Sequence, residues 1–209
     1  GVENAIRIGK ALDEFSLAWY EDMIPWQFVD QWKMLKNRVD TPVCTGEDIY
    51  LKAGFEPLVE ERAISIAHPD LATSGGIIET KKIADYCRDA GIGVALHQAG
   101  SPVVAMANVH CAAAIDNFIG LEMHSVDNPW WDDLVTIVGS NDKKIIKDGY
   151  VDVPSGPGLG IELNEDVIKE YLADPASDKR GRFFSVYPEG LFENTDEWND
   201  IDSHDRTWS

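Results

Sequence analysis

Short apolar runs alternate with helix-like stretches along the first 122 residues of the chain. The runs are SLAWYED, PVCTGE, AISIAHPD, GVALH and FIGLE, and they recur about every 25 residues. Apolar side chains recur at helical spacing over 3–14, 28–38, 49–60, 77–90 and 102–115. Strands and helices that alternate at this interval are typical of parallel βαβ units. The alternation therefore predicts an α/β fold built around a parallel sheet.

The choice within this class lies between an open doubly wound sheet and a barrel. Neither G-x-G-x-x-G nor G-x-x-x-x-G-K-[S/T] follows any run, so the nucleotide-binding open sheet has no support. Ionisable residues end the runs instead, which favours a barrel, because its strands end on one common face. A complete eightfold barrel takes roughly 250 residues. We expect the later half of a barrel over 1–128, its closure over 129–172, and an acidic, aromatic-containing extension over 173–209.

The composition excludes some classes of function. The 37 acidic residues outnumber the 18 basic ones and give a formal net charge of -19, which argues against nucleic-acid binding. No apolar run reaches the ~18 residues of a membrane-spanning helix. The three cysteines are widely spaced and form no C-x-x-C pair, so they predict neither a disulfide framework nor a zinc site. A reducing cytoplasm fits such a chain best.

Acidic residues end the first two runs at matched positions. Glu21 closes the first run and Glu47 closes the second. Carboxylate oxygens are hard ligands that suit Mg²⁺. A single glutamate at such a place is ordinarily a helix cap or a salt-bridge partner. Because the two occupy equivalent positions on successive units, we interpret them as a pair of metal ligands.

The later runs end at Asp70, His97 and Glu122. On adjacent strands, the Asp70 carboxylate can orient the His97 imidazole and raise its pKa, which makes a general acid/base pair. Glu122 could hydrogen-bond a substrate carboxylate. Each residue also has a structural interpretation: His97 as a buried, hydrogen-bonded histidine, Asp70 as a loop cap, and Glu122 as an acid at the barrel rim. A glycosidase using Glu47 and Glu122 is a further alternative, but it leaves the Asp-His pair unexplained.

The order and spacing of five motifs resemble the mandelate racemase branch of the enolase superfamily. The motifs are WYED (19–22), TGED (45–48), HPDLATSGG (68–76), ALHQAGSPV (95–103) and GLEMH (120–124), followed by a GPGLGIEL turn; the resemblance covers about residues 1–172. It implies a modified (β/α)₇β barrel that binds Mg²⁺ through three acids. Glu21 and Glu47 match the second and third of these ligands. Asp70 and His97 match the family's Asp-His dyad, and Glu122 matches the acid on the eighth strand.

The resemblance also implies a chemistry. Enolase-superfamily sites remove the proton α to a carboxylate with a Lys or His base and Mg²⁺. The stretches ALHQAGSPV and LEMHSVDNPWW resemble sugar-acid dehydratases more than racemases. We therefore expect a lyase that dehydrates a small-molecule aldonic or aldaric acid to a 2-keto-3-deoxy acid. A racemase or epimerase, a cycloisomerase, and a catalytically silent barrel are the alternatives.

Parts of the family pattern have no counterpart in this chain. They are the first metal ligand, the Lys-x-Lys pair on the second strand, and the capping domain. We therefore expect the chain to be the C-terminal half of a longer polypeptide, inactive without the N-terminal half. The aromatic residues in 173–209 predict packing on another subunit, and hence a homo-oligomer.

Overall fold

Five parallel strands form the main sheet of the computed structural model, which describes residues 1–171 except 125 and 127. The strands are β1 (Tyr20–Glu21), β2 (Val43–Thr45), β3 (Ile66–Ala67), β4 (Gly93–Leu96) and β5 (Phe118–Leu121). Each strand pairs with the next one along the chain, in the order β1-β2-β3-β4-β5. A doubly wound open sheet reverses its strand order at a switch point, whereas barrel strands follow chain order. The predicted α/β barrel type is therefore confirmed.

Helices connect the strands close to the positions that the sequence predicts. They are α1 (Val2–Leu12), α2 (Val29–Lys36), α3 (Leu51–Glu60), α4 (Leu71–Ser74), α5 (Gly76–Asp89), α6 (Pro102–Ala112) and α7 (Glu165–Tyr171). The short helix α4 was not predicted, because four residues carry too little periodicity to detect. Pro102 occupies the first turn of α6, where its missing N–H costs no hydrogen bond.

The two faces of the sheet bury different sets of side chains. Outward-facing Val43, Ala67 and Val94 pack with buried side chains of the helices, such as Trp32 and Phe55, in the largest apolar cluster. Each large side chain buried there contributes about 1.5–3 kcal/mol. Inward-facing Cys44, Ile66 and Ala95 form a separate small cluster, against which Trp19 packs. Because side chains alternate along a strand, the residues two positions after Ile66 and Ala95, which are His68 and His97, also point toward the barrel interior.

Gly46 allows the end of β2 to approach β3 closely. Its φ is +151°, which side chains of L residues rarely adopt, and a Cβ built there lies 2.8 Å from the Phe55 ring and 2.9 Å from the His68 backbone. The backbone beside it is fixed by the His68 N–H, which donates to the Thr45 carbonyl. Glu47 therefore leaves the sheet at a point where only glycine fits.

We expect Gly46→Ala to lower the free energy of unfolding by about 2–4 kcal/mol, because it adds both backbone strain and overpacking. Urea denaturation of the protein expressed from its complete coding sequence measures the change. Gly120→Ala is the matched control, since a Cβ at Gly120 meets no atom within 4 Å. Equal losses in the two variants would contradict the close approach at Gly46.

The segment after residue 128 packs on α6 as a second apolar cluster. Trp131 is buried with Ala105, Met106 and Val135, and its indole N–H donates to the Gly100 carbonyl at 3.0 Å. The sequence predicts that His110, in the helix after His97, belongs to the core; in the structure its side chain is half-buried, and its Nε2 lies 3.1 Å from the Leu159 carbonyl oxygen. This segment is thus tied to the barrel on the side of β4 and α6.

Local structure in this segment differs in part from the sequence prediction. The stretch PWWDDLV predicts a short helix, and the structure has a 3₁₀ turn there, at Asp132–Leu134. The stretch KKIIKDGYVDVP predicts a hairpin, and the structure has only a tight turn there, in which Lys147 and Tyr150 exchange backbone hydrogen bonds. The extended pairing instead joins β6 (Val135–Ile137) and β7 (Ile161–Leu163), two strands that were not predicted. Short strands separated by a long loop leave little trace in a sequence.

The predicted extension over 173–209 lies outside the described residues, and the three-part division of the chain remains a prediction. Among the residues that the structure describes, no helix is both long and apolar enough to cross a bilayer. Cys44, Cys87 and Cys111 are all buried free thiols.

Candidate active site

The structure brings all five sequence-predicted site residues to one end of the sheet. Glu21 is the last residue of β1, and Glu47 follows β2 by two residues. Asp70 and His97 continue β3 and β4 and form a parallel bridge with each other. Glu122 directly follows β5, and one of its carboxylate oxygens, Oε2, accepts the backbone N–H of Gln98 at 3.2 Å. These are the carboxyl ends of the strands, where barrel enzymes assemble their sites.

The His97 imidazole lies among three carboxylates. Its Nδ1 is 2.7 Å from Asp70 Oδ2, and its Nε2 is 2.7 Å from Glu47 Oε2. Glu122 Oε2 lies 3.4 Å from the same Nε2. Asp70 thus holds the ring at Nδ1, and Nε2 lies toward the carboxylates of Glu47 and Glu122.

Asp70 uses its two carboxylate oxygens for different tasks. Oδ1 accepts the Ala72 backbone N–H at 2.6 Å and caps α4, while Oδ2 binds His97. The structural interpretation of Asp70 as a cap and its orienting contact with His97 therefore both hold. The cap fixes the carboxylate, and the carboxylate in turn fixes the plane of the imidazole.

These contacts set the charge state of the histidine. Burial would lower the pKa of His97, but hydrogen bonds to Asp70 and Glu47 and the charges of Glu47 and Glu122 raise it to about 10. The hydrogen bond from His97 lowers the pKa of Glu47, although burial opposes this. The raised pKa favours the imidazolium form of His97, which can donate from Nδ1 to Asp70 and from Nε2 to Glu47.

Three carboxylates at the ends of β1 and β2 could hold a metal ion. Oxygens of Glu21, Asp22 and Glu47 all lie within 4.8 Å of one another. Burial raises the pKa of Asp22 to about 7; a hydrogen bond from Thr45 opposes the rise, and the charges of Glu47 and Glu21 add to it. Such a concentration of hard oxygen donors and negative charge fits a divalent cation of the Mg²⁺ class. Asp22 is an addition to the two acids that the sequence predicted.

His68 is a further site residue that sequence reasoning missed. Its side chain is fully buried; Nδ1 lies 3.1 Å from the Ala95 carbonyl oxygen, and Nε2 lies 3.6 Å from Glu21 and 3.7 Å from Glu122. The available signal was its position two residues before Asp70, because residues i and i+2 of a strand share one face. His68 and His97 meet edge to face, with ring centroids 5.4 Å apart.

Parallel strands in chain order end in carboxylates, and one of these carboxylates binds a histidine. This arrangement defines a barrel-type acid/base site beside a group of carboxylates that could hold a metal ion. The comparisons agree with this class. The chain belongs to the enolase C-terminal domain-like family, whose model matches residues 1–167.

Sugar-acid dehydratases are among the relatives. The chain is 36% identical over 171 residues to a D-xylonate dehydratase of Haloferax volcanii, an alignment that covers 82% of this chain and 40% of the relative. A mandelate racemase/muconate lactonizing enzyme-like protein from Rubrobacter xylanophilus has a similar structure, with TM-score 0.77 and 35% identity over 81% of this chain and 42% of that one. The 3,6-anhydro-D-galactonate cycloisomerase of Zobellia galactanivorans follows with TM-score 0.73 and 28% identity, over 83% of this chain and 48% of that one. The chain thus spans less than half the length of these proteins.

Proposed function

We propose that this chain supplies the acid/base half of a Mg²⁺-dependent enzyme that removes the proton α to a carboxylate, and that the reaction is the dehydration of an aldonic or aldaric acid. The observation that carries the proposal is the position of His97 Nε2. It lies 2.7 Å from Glu47, one of the three clustered carboxylates, while Asp70 holds the opposite ring nitrogen. A proton-transfer group thus adjoins a cation-binding group, as α-proton removal requires.

The roles follow from the contacts. Glu21, Asp22 and Glu47 would hold Mg²⁺, which when bound stabilises the negative charge that develops on the substrate carboxylate. His97 transfers a proton through Nε2, and Asp70 keeps its ring in place and its Nδ1 protonated. Glu122, 3.4 Å from the same Nε2, hydrogen-bonds the substrate. In dehydration the α-hydrogen and the β-hydroxyl leave as water, and the enol that remains becomes a 2-keto-3-deoxy acid.

The name of the Haloferax relative supports a sugar acid as the substrate class. The Zobellia structure favours a second candidate, a cycloisomerase of a related sugar acid, because it has a comparable TM-score. A cytoplasmic location is part of the proposal, and it accords with three cysteines that are buried and free. A homo-oligomer remains our prediction for the assembly.

A screen against sugar acids tests the proposal. Protein expressed from the complete coding sequence is incubated with Mg²⁺ and a library of aldonic and aldaric acids, and 2-keto acid is measured. Proton NMR in D₂O follows the same reactions, so that epimerisation appears as deuterium at the α-carbon without loss of water. We expect 2-keto-3-deoxy product from at least one acid. Exchange without dehydration would contradict the assignment as a dehydratase. If no acid shows either exchange or product, α-proton removal itself is contradicted.

Asp70→Asn tests the orienting role of Asp70 separately from its role as a cap. Asparagine caps helices as well as aspartate does, so α4 should persist. The lost carboxylate should lower kcat by at least about 10–100-fold, the loss found when the hydrogen-bond partner of a metal-ligating histidine is removed. Steady-state kinetics measures this loss, and circular dichroism checks the fold. Asp70→Ala, which removes cap and carboxylate together, should cost stability as well. Unchanged kcat in Asp70→Asn would remove Asp70 from the mechanism.

A further inference from the structure

A carboxylate, a thiol and an imidazole meet on the inner face of the sheet. Glu21 pairs in register with Cys44, and Cys44 pairs with Ile66, two residues before His68. The carboxylate oxygen of Glu21, Sγ of Cys44 and a ring nitrogen of His68 all lie within 4.8 Å of one another. The side chains of Cys44 and His68 are fully buried.

The His68 ring is fixed with an available lone pair. Nδ1 lies 3.1 Å from the Ala95 carbonyl oxygen, which can only accept, so Nδ1 carries the hydrogen. In the neutral ring, Nε2 is therefore an acceptor. Within the described part of the chain this buried Nε2 has no hydrogen-bond partner. It faces two further acceptors, Oε2 of Glu21 at 3.6 Å and Oε2 of Glu122 at 3.7 Å, and in the neutral ring neither a donor nor a cation lies between Nε2 and these carboxylates.

The distance between these two acceptors fits a cation. Glu21 Oε2 and His68 Nε2 are 3.6 Å apart, too far for a good hydrogen bond. Two ligands that each lie about 2.1 Å from one tetrahedral cation are about 3.4 Å apart. A small adjustment of the Glu21 side chain, which is 34% exposed, suffices to reach that spacing.

The third member decides the class of cation. The Cys44 thiol packs against Ile66, Ala95 and Trp19, and no disulfide engages it. Sulfur and imidazole ligands select Zn²⁺ and similar thiophilic ions over Mg²⁺. We propose that Glu21, Cys44 and His68 form a second cation site, for Zn²⁺ and chemically similar divalent ions, at the floor of the barrel mouth. The spacing of the cysteines could not indicate this site, because its ligands come from three different strands.

Binding at this site has two chemical consequences. The thiol proton is released to solvent as the sulfur binds the ion, so one proton leaves for each ion bound. Glu21 belongs both to this site and to the proposed Mg²⁺ site, and it cannot bind an ion fully in each, so a thiophilic ion competes with Mg²⁺. This second consequence rests on the proposed function, whereas the site itself does not.

Cadmium titration tests the site. CdCl₂ is added to the protein expressed from its complete coding sequence, and the cadmium-thiolate charge-transfer absorption in the ultraviolet is recorded. We expect a band that Cys44→Ser removes and that the matched control Cys87→Ser, a change at another buried thiol, retains. His68→Gln should weaken cadmium binding by at least about 10-fold, because it removes the imidazole ligand. A band that persists in Cys44→Ser, or no band in the unaltered protein, would overturn the proposal.

X-ray absorption spectroscopy of the unaltered protein with one equivalent of Zn²⁺ avoids variants that fail to fold. We expect one sulfur in the first shell, together with nitrogen and oxygen; a shell without sulfur would contradict the site. The two proposals fail in different ways. A Cys44-dependent band in a protein that turns over no sugar acid supports the site and contradicts the proposed function, and turnover without a band does the reverse.

Discussion

His97→Asn is expected to lower kcat by about 10²–10⁴-fold without weakening Mg²⁺ binding, because a positioned acid or base contributes about that much to proton transfer. Asparagine can still donate a hydrogen bond to Asp70, so the local structure should survive. Asparagine cannot accept a proton from the substrate or donate one to it, because its amide does not titrate. Turnover of the sugar acid found in the screen measures the first effect, and calorimetric Mg²⁺ titration measures the second.

His110→Asn is the matched control for this variant. His110 is also a half-buried histidine, but its Nε2 lies against the Leu159 carbonyl, away from the carboxylates. We expect normal turnover in His110→Asn and a modest loss of stability, about 1 kcal/mol for one hydrogen bond. If His97→Asn keeps its turnover, or if the two variants lose it equally, His97 is not the proton-transfer group.

The positions of the site residues could be predicted because a parallel strand places its end residue on a common face. Glu21, Glu47, Asp70, His97 and Glu122 each close an apolar run, and no knowledge of the loops was needed to bring them together. The barrel type could be predicted for the same reason, because ionisable residues that end every run favour strands with a common end face, and the pairing of the strands in chain order agrees with that prediction. Short-range periodicity and strand polarity carried these inferences.

Other features depend on contacts that a linear pattern does not contain. His68 sits within an apolar run, and only the two-residue period relative to Asp70 places it on the inner face. Asp22 joins the carboxylate group because its φ of +45° turns the chain directly after Glu21. β6 and β7 pair across a loop of more than twenty residues, so neither strand has a neighbour in sequence that would indicate it.

Glu47→Gln should weaken Mg²⁺ binding at least about 100-fold, because even residues that only support metal ligands are worth 10–100-fold in affinity. Turnover should fall as well, since the same carboxylate is 2.7 Å from His97 Nε2. Glutamine keeps the size of the side chain and removes only its charge. Calorimetric titration with Mg²⁺ and steady-state kinetics at saturating and subsaturating Mg²⁺ measure both effects.

The pattern across variants separates the two halves of the site. His97→Asn should lose kcat with no loss of Mg²⁺ affinity, whereas excess Mg²⁺ should recover part of the activity of Glu47→Gln, as expected of a weakened cation site. Glu56→Gln is the matched control, because Glu56 forms a partly exposed ion pair with Lys52 on α3, away from the carboxylates, and surface pairs contribute about 0–1 kcal/mol. Normal Mg²⁺ affinity in Glu47→Gln would show that Glu47 serves only as a partner of His97, and the cation would then have to bind through Glu21 and Asp22 without it.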